Sequence, residues 1–167
     1  MKTRGLRGSV LEEMINRTIE EYRMKNLALI QKIPTPITPI KMDKEGHITL
    51  AYFDKKSTVD YVGVVQEIPV CFDAKECKTK KFPIANVHRH QVEFMRDWEK
   101  QGGMAFILIF FIEQNLAYYM RYKELKKYFD AKSSFSISEL DEKYFINMNR
   151  KIKIDILSKI QLDIDER

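Results

Sequence analysis

The feature that most constrains this chain is the unbroken apolar run from Met104 to Ile112, Met-Ala-Phe-Ile-Leu-Ile-Phe-Phe-Ile. It is far shorter than the ~20 residues a helix needs to cross a bilayer. It shows no apolar–polar alternation, so it does not suit a sheet with one wet face. It reads as a strand buried on both faces, and such a strand needs cover on each side of its sheet. The remaining chain must supply two covering layers. A length of 167 residues suits one domain, and 44% apolar residues with 10 Phe and 8 Tyr can fill a sizeable core. Gly and Pro are sparse, at 6 and 5, so most of the chain should be ordered.

The flanking patterns predict the layers. Leu11, Met14, Ile15, Ile19 and Tyr22 fall on one helical face over Val10 to Met24, with Ser9 as the expected N-cap. Ala28 to Ile33 reads as a strand, stopped by Pro34-Thr35-Pro36 because proline lacks the amide a sheet interior needs. Ile37 to Lys56 alternates on either side of a turn at Asp43-Lys44-Glu45-Gly46 and reads as a projecting hairpin. Tyr61 to Val65 and Ile68 to Lys75 form a strand pair joined tightly at Gln66-Glu67. Asn86 is expected to cap a helix reaching Lys100, which Gly102-Gly103 ends. Met104 to Ile112 pairs with Leu116 to Met120. Lys123 to Phe129 and Ser138 to Tyr144 read as short helices, and Ile152, Ile154 and Ile156 as an edge strand. The order predicts an α/β fold, a mixed central sheet flanked by helices. One domain is expected over 1–167, with the hairpin inserted at about 34–56 and an acidic tail over 163–167 that frays.

Charge and cysteine content narrow the partners. A net charge of +5 suits a polyanion without specifying one. Cys71 and Cys77 have neither zinc-type spacing nor a CxxC motif, which predicts a reduced compartment. The basic N-terminus has no apolar run behind it and is not a signal peptide, so a cytoplasmic protein without a membrane partner is expected. His88 and His90 lack the thiols or further histidines of a zinc site. Val92, Met95 and Trp98 read as the core face of their helix.

Chemistry is concentrated in Ser57-Thr58-Val59-Asp60-Tyr61-Val62-Gly63 and Val70-Cys71-Phe72-Asp73-Ala74-Lys75. Asp60 begins one strand. Asp73 and Lys75 lie two apart on the next, so their side chains share a face. The tight turn gathers two carboxylates and an amine at one end of a hairpin. Carboxylates suit a hard cation such as Mg²⁺. Such a cation can promote phosphodiester hydrolysis, with a lysine orienting water or neutralising charge on the phosphate. A bare D-x-K on a strand is more often a solvated salt bridge. The apolar approach from Ile68 to Phe72 and the upstream Asp60 are what favour a site.

This order of Asp, hairpin and acidic-x-Lys resembles the PD-(D/E)xK nucleases. Several segments are similar to the RecU family in particular: Lys32-Ile33-Pro34-Thr35-Pro36, Ala51-Tyr52-Phe53, Ser57 to Gly63, Phe72-Asp73-Ala74-Lys75-Glu76 and Asn86-Val87-His88-Arg89-His90-Gln91. The resemblance implies a PD-(D/E)xK nuclease-like fold whose hairpin is a stalk reaching the centre of a four-way junction. It implies a homodimeric Holliday-junction resolvase making two symmetric nicks with Mg²⁺, or Mn²⁺ in its place. Asp60, Asp73 and Lys75 become the active-site core, with Glu12 as the helix-1 acid and its neighbour Glu13 as competitor. Asp60, Asp73, Thr58 and the Ala74 backbone carbonyl are the metal ligands so implied. The chain departs from the family in carrying Asp73 where Glu is usual.

Arg4 and Arg7, Lys41, Lys44, Lys55 and Lys56, and Lys78, Lys80 and Lys81 are the candidate phosphate contacts, which give affinity and position without sequence readout. Thr35 and Pro36 at the stalk base complete the expected DNA-binding set, and Gln91 is expected as a helix-borne polar contact to the site or to DNA. Tyr118, Tyr119 and Tyr122 are candidates for the dimer surface. The resemblance also implies a bacterial or phage-encoded protein that works beside a recombinase or a branch-migration motor. The rival readings are a non-catalytic recombination accessory and a sequence-specific PD-(D/E)xK endonuclease.

Overall fold

The computed structural model describes residues 10–53, 58–148 and 153–167. Ser9, Arg4, Arg7, Lys55, Lys56 and Ile152 lie outside the described residues. The elements in order are α1 (Val10–Met24), β1 (Ala28–Lys32), β2 (Ile37–Met42), β3 (Ile48–Phe53), β4 (Tyr61–Val65), β5 (Ile68–Cys77), β6 (Lys81–Phe82), α2 (Arg89–Lys100), β7 (Met104–Phe111), β8 (Leu116–Arg121), α3 (Tyr122–Asp130), β9 (Phe135–Ser136), β10 (Phe145–Asn147) and α4 (Leu157–Asp165). This is the α/β arrangement with a mixed central sheet that the sequence predicts.

Six strands form that sheet in the order β1-β4-β5-β7-β8-β10. Only β5 and β7 run parallel, joined by the crossover through α2, and the remaining pairs are antiparallel. Every residue of β7 is buried, as the unbroken apolar run requires. An aromatic row crosses one face of the sheet. Tyr61 stacks on Phe72 at 4.8 Å, Phe72 on Phe106 at 4.7 Å, Phe106 on Tyr119 at 4.2 Å and Tyr119 on Tyr144 at 5.9 Å. The Tyr61 hydroxyl donates to Asn16 of α1, so this is the face α1 covers. Side chains alternate along a strand, so the residues next to these rings face α2 instead.

β2 and β3 form a separate two-stranded ribbon projecting at the expected hairpin. Ile37, Ile40, Met42, Ile48, Leu50, Tyr52 and Phe53 all stand exposed on it. Its turn is held by Asp43, whose Oδ1 accepts from the amides of Glu45 and His47.

Four expectations are corrected. Asn86 belongs to a 3₁₀ turn, and His88 is the N-cap of α2, its amide donating to Gln91 Oε1 at 3.1 Å. The Ser138–Tyr144 helix is two 3₁₀ turns leading into β10, the actual edge strand. Ile154 and Ile156 are buried but not in a strand, because α1 side chains satisfy their backbone. The Ile154 amide donates to Thr18 Oγ1 and the Ile156 amide to the Tyr22 hydroxyl. The acidic tail belongs to α4 rather than fraying: Asp163 is buried and accepts from the Tyr119 hydroxyl at 3.0 Å.

Candidate active site

The turn between β4 and β5 sets the geometry. Gln66 and Glu67 both take left-handed backbone conformations, with φ of 44° and 72°. Two such residues make a hairpin turn whose twist matches the strands. Gln66 Nε2 anchors the turn to the carbonyls of Asn26 and Leu27. The resulting register pairs Tyr61 with Phe72. One further step along the same register sets Asp60 opposite Asp73. Asp60 Oδ2 accepts from the Ala74 amide at 3.0 Å, where a ladder bond would otherwise run.

Asp73 is only 1% exposed. Gln91 Nε2, from the first turn of α2, donates to Asp73 Oδ1 at 2.8 Å. Lys75 Nζ lies 2.5 Å from Oδ2. That contact is an ion pair without hydrogen-bond alignment, so Oδ2 is buried with a charge partner but no aligned donor. Burial pushes the Asp73 carboxyl well above the usual carboxylate range, and the nearby charge of Asp60 adds to this, while Lys75 pulls the other way. Two carboxylates pressed together, one of them buried, form an arrangement that a divalent cation relieves. The oxygen donors suit Mg²⁺ or Mn²⁺.

Asp60, Asp73 and Lys75 are therefore brought together, and Gln91 joins them. The sequence offered Gln91 as a helix-borne polar contact to the site or to DNA, and its amide is buried against the Asp73 carboxylate. Ala74 contributes its amide to Asp60. Thr58 is exposed two residues before Asp60. Glu12 is partly buried and its Oε2 pairs with Lys32 at 2.7 Å, whereas Glu13 is exposed. Glu76 was missed by sequence reading. Its Oε1 accepts from the Leu11 amide at 2.9 Å, fastening the start of α1 to the strand that carries Asp73 and Lys75. The available signal was alternation, which turns Glu76 to the α1 face with Phe72 and Ala74.

Thr35, Pro36, Lys41, Lys44, Lys78, Lys80 and Lys81 are exposed. Tyr118 and Tyr119 are completely buried, and Tyr122 is partly buried against the core, so the first two are core rather than an outer surface. Among the described residues, three potential ligands converge only at the ribbon turn, where Asp43, Glu45 and His47 are all exposed. Both cysteines are free and buried. No helix among the described residues is long and apolar enough to cross a membrane.

The family described as Recombination protein U matches residues 6–162. The protein named Holliday junction resolvase RecU of Pediococcus pentosaceus is 39% identical over 135 residues, covering 78% of this chain and 67% of the relative. The one from Leuconostoc mesenteroides is 39% identical, covering 85% and 74%, and that from Geobacillus sp. 32% identical, covering 94% and 84%. The chain spans about two thirds of the length of several such relatives. Among solved structures, the Holliday junction resolvase Hjc of Archaeoglobus fulgidus aligns over 70% of this chain and 78% of its own at 11% identity, with a TM-score of 0.42. The family match extends over the whole span that carries Asp60, Asp73, Lys75 and Gln91, and this chain belongs to the Recombination protein U family, RecU.

Proposed function

We propose that this chain is a Holliday-junction resolvase, a metal-dependent endonuclease that cuts four-way DNA junctions by structure rather than sequence. The observation that carries the reading is the register that sets Asp60 opposite Asp73 with Lys75 and Gln91 on the same side. Asp60 and Asp73 would hold the cation, Mg²⁺ or Mn²⁺. When bound, it polarises the phosphate and lowers the pKa of water. Thr58 and the Ala74 carbonyl are further candidate ligands.

The chain's own groups do the rest. Lys75 orients the attacking water or neutralises charge developing on the phosphate, from a position its contact with Asp73 fixes. Gln91 holds the Asp73 carboxylate from α2 and keeps it from rotating. Hydrolysis by in-line attack of water leaves 5′-phosphate and 3′-hydroxyl ends. The ribbon, with Thr35 and Pro36 at its base and Lys41 and Lys44 along it, supports recognition of the junction centre. Lys78, Lys80 and Lys81 supply phosphate contacts beside the site.

A homodimer places two such sites about a two-fold axis, matching the symmetry of a junction. The proposed setting is the cytoplasm of a bacterium, or of a phage-infected one, beside a recombinase or a branch-migration motor. The test is a labelled synthetic four-way junction incubated with and without Mg²⁺, with linear duplex and fork as controls. Mg²⁺-dependent cutting confined to the junction is expected. Binding without cutting in any divalent cation would identify an architectural accessory. Cutting of duplex at a fixed sequence would identify a sequence-specific nuclease.

A further inference from the structure

Among the described residues, two ammonium groups meet acids at the Asp60 end of the sheet, and one of them belongs to the proposed chemistry. Lys75 pairs with Asp73, and Lys32 pairs with Glu12. Lys32 is the last residue of β1, and its Cα faces Tyr61 across the strand pair. The following amide, Ile33, donates to the Asp60 carbonyl at 2.8 Å. The backbone therefore pins Lys32 beside the residue that carries the candidate metal carboxylate. On its other side the chain enters Pro34-Thr35-Pro36, the root of the ribbon.

The acid partner is held just as closely. Glu12 lies in the first turn of α1, which Glu76 fastens to β5 immediately beyond Lys75. Glu12 and Asp60 both act on the Tyr61 phenol, raising its pKa beyond the contribution of burial. The Lys32 and Glu12 side chains are 42% and 25% exposed, so water reaches their contact. A solvent-accessible pair of this kind is worth only a few tenths to about 1 kcal/mol and can be exchanged. A phosphate is a stronger partner for a lysine than an exposed carboxylate, because its binding also releases condensed counterions.

Resting on the resolvase reading, we propose that Lys32 is a DNA-phosphate contact held in reserve by Glu12. When a junction docks, the Lys32 ammonium leaves the carboxylate for a backbone phosphate between the active site and the ribbon. Glu12 is then released at the same end of the sheet as Asp60. The exchange is a change of ionic partners, and no covalent bond is made or broken. It gives the helix-1 acid a role in the free protein, keeping a DNA-binding cation positioned until DNA arrives.

The test is a double-mutant cycle read by binding, not by cleavage. Fluorescence anisotropy of a labelled four-way junction in metal-free buffer is measured across a salt series. The proteins are wild type, Lys32→Gln, Glu12→Gln and the double variant. Lys32→Gln should lower the steepness of log affinity against log salt by about one, the effect of one lost phosphate contact. Glu12→Gln should tighten binding by roughly threefold, the factor expected for releasing an exposed ion pair. That tightening should disappear in the Lys32→Gln background, because there is no ammonium to release. Lys32→Arg, which keeps the charge, should retain the wild-type slope. An unchanged slope in Lys32→Gln would overturn the proposal. So would equal tightening by Glu12→Gln in both backgrounds, which would mean that Glu12 acts only as general negative charge. Junction cleavage by the wild type in Mg²⁺, run in parallel, separates these outcomes from failure of the resolvase reading itself.

Discussion

At the scale of single residues, Asp73 concentrates the opposing forces of the site. It is buried, it faces a second carboxylate, and Gln91 and Lys75 hold its two oxygens. Burial first, and Asp60 second, keep its proton on to higher pH than in an unfolded chain. The folded, metal-free protein therefore binds this proton more tightly than the unfolded one. Its contribution to stability is present at low pH and is lost as pH rises from the unfolded carboxylate range through the raised value. Asp73→Asn should flatten that decline, measured as Tm against pH in chelator. Asp60→Asn should lower the pH at which the Asp73 carboxyl titrates by NMR, and an unmoved titration would show that the two carboxylates do not interact. Both variants should lose cleavage while still binding junctions, since each removes a candidate ligand and a negative charge near the phosphate. The Asp60, Asp73 and Lys75 constellation was legible because strand alternation and a tight turn are local rules. Gln91 was legible as a polar contact to the site or to DNA but not as the partner of Asp73 in particular, because that carboxylate lies eighteen residues upstream across a crossover.

At the scale of elements, the same division between local and distant forces decides what the sequence discloses. α1, β4 and β5 follow from periodicity and turn chemistry, and β7 from its apolar run. The C-terminal part does not, because its backbone is satisfied by residues far away in sequence, Thr18 and Tyr22, instead of by a strand partner. α4 is a further case. Its acidic end looks like a fraying tail, yet Asp163 meets Tyr119, and Arg167 meets Glu99 at the end of α2. Asp163→Ala should cost about 1–3 kcal/mol in denaturant unfolding, since it strands a buried tyrosine hydroxyl. Asp163→Asn keeps an acceptor for that hydroxyl and should cost clearly less. Equal losses would mean that packing of α4, not this bond, is what the residue supplies. The ribbon presents the opposite case, since its strands pair only with each other. Removing residues 42–48 should leave Tm nearly unchanged while weakening junction binding much more than duplex binding. An equal loss on both substrates would make the ribbon a source of general charge and contact area, not a reader of junction shape.

At the scale of the whole molecule, the central question is how one site per chain acts on a substrate that needs two cuts. Asp60 and Asp73 are the pair of candidate metal carboxylates that one protomer brings together in its sheet. A monomer could make both nicks only by releasing and rebinding, and singly nicked junctions would then accumulate. A two-fold dimer can make the second cut before release. The tyrosines that looked suited to such an interface, Tyr118 and Tyr119, are fully committed to the core. The large apolar side chains still exposed lie mainly on the ribbon and on the β1–β4 edge, at Leu29 and Val64. By alternation Leu29 and Val64 lie on the same face of the sheet as Asp60 and Asp73, with Val64 toward the opposite end of β4 from Asp60. In the mechanism proposed, each site depends on its own Asp60 and Asp73. A mixed dimer with one Asp60→Asn subunit should therefore cut one strand at the normal rate and stall. A supercoiled plasmid with an extruded cruciform distinguishes the outcomes, because a single nick gives relaxed circles and paired nicks give linear DNA. Wild type should give linear product with little relaxed intermediate, and the mixed dimer should give relaxed circles. Linear product from the mixed dimer at the wild-type rate would show that one site serves both strands, and a monomer at the working concentration would remove the basis for pairing altogether.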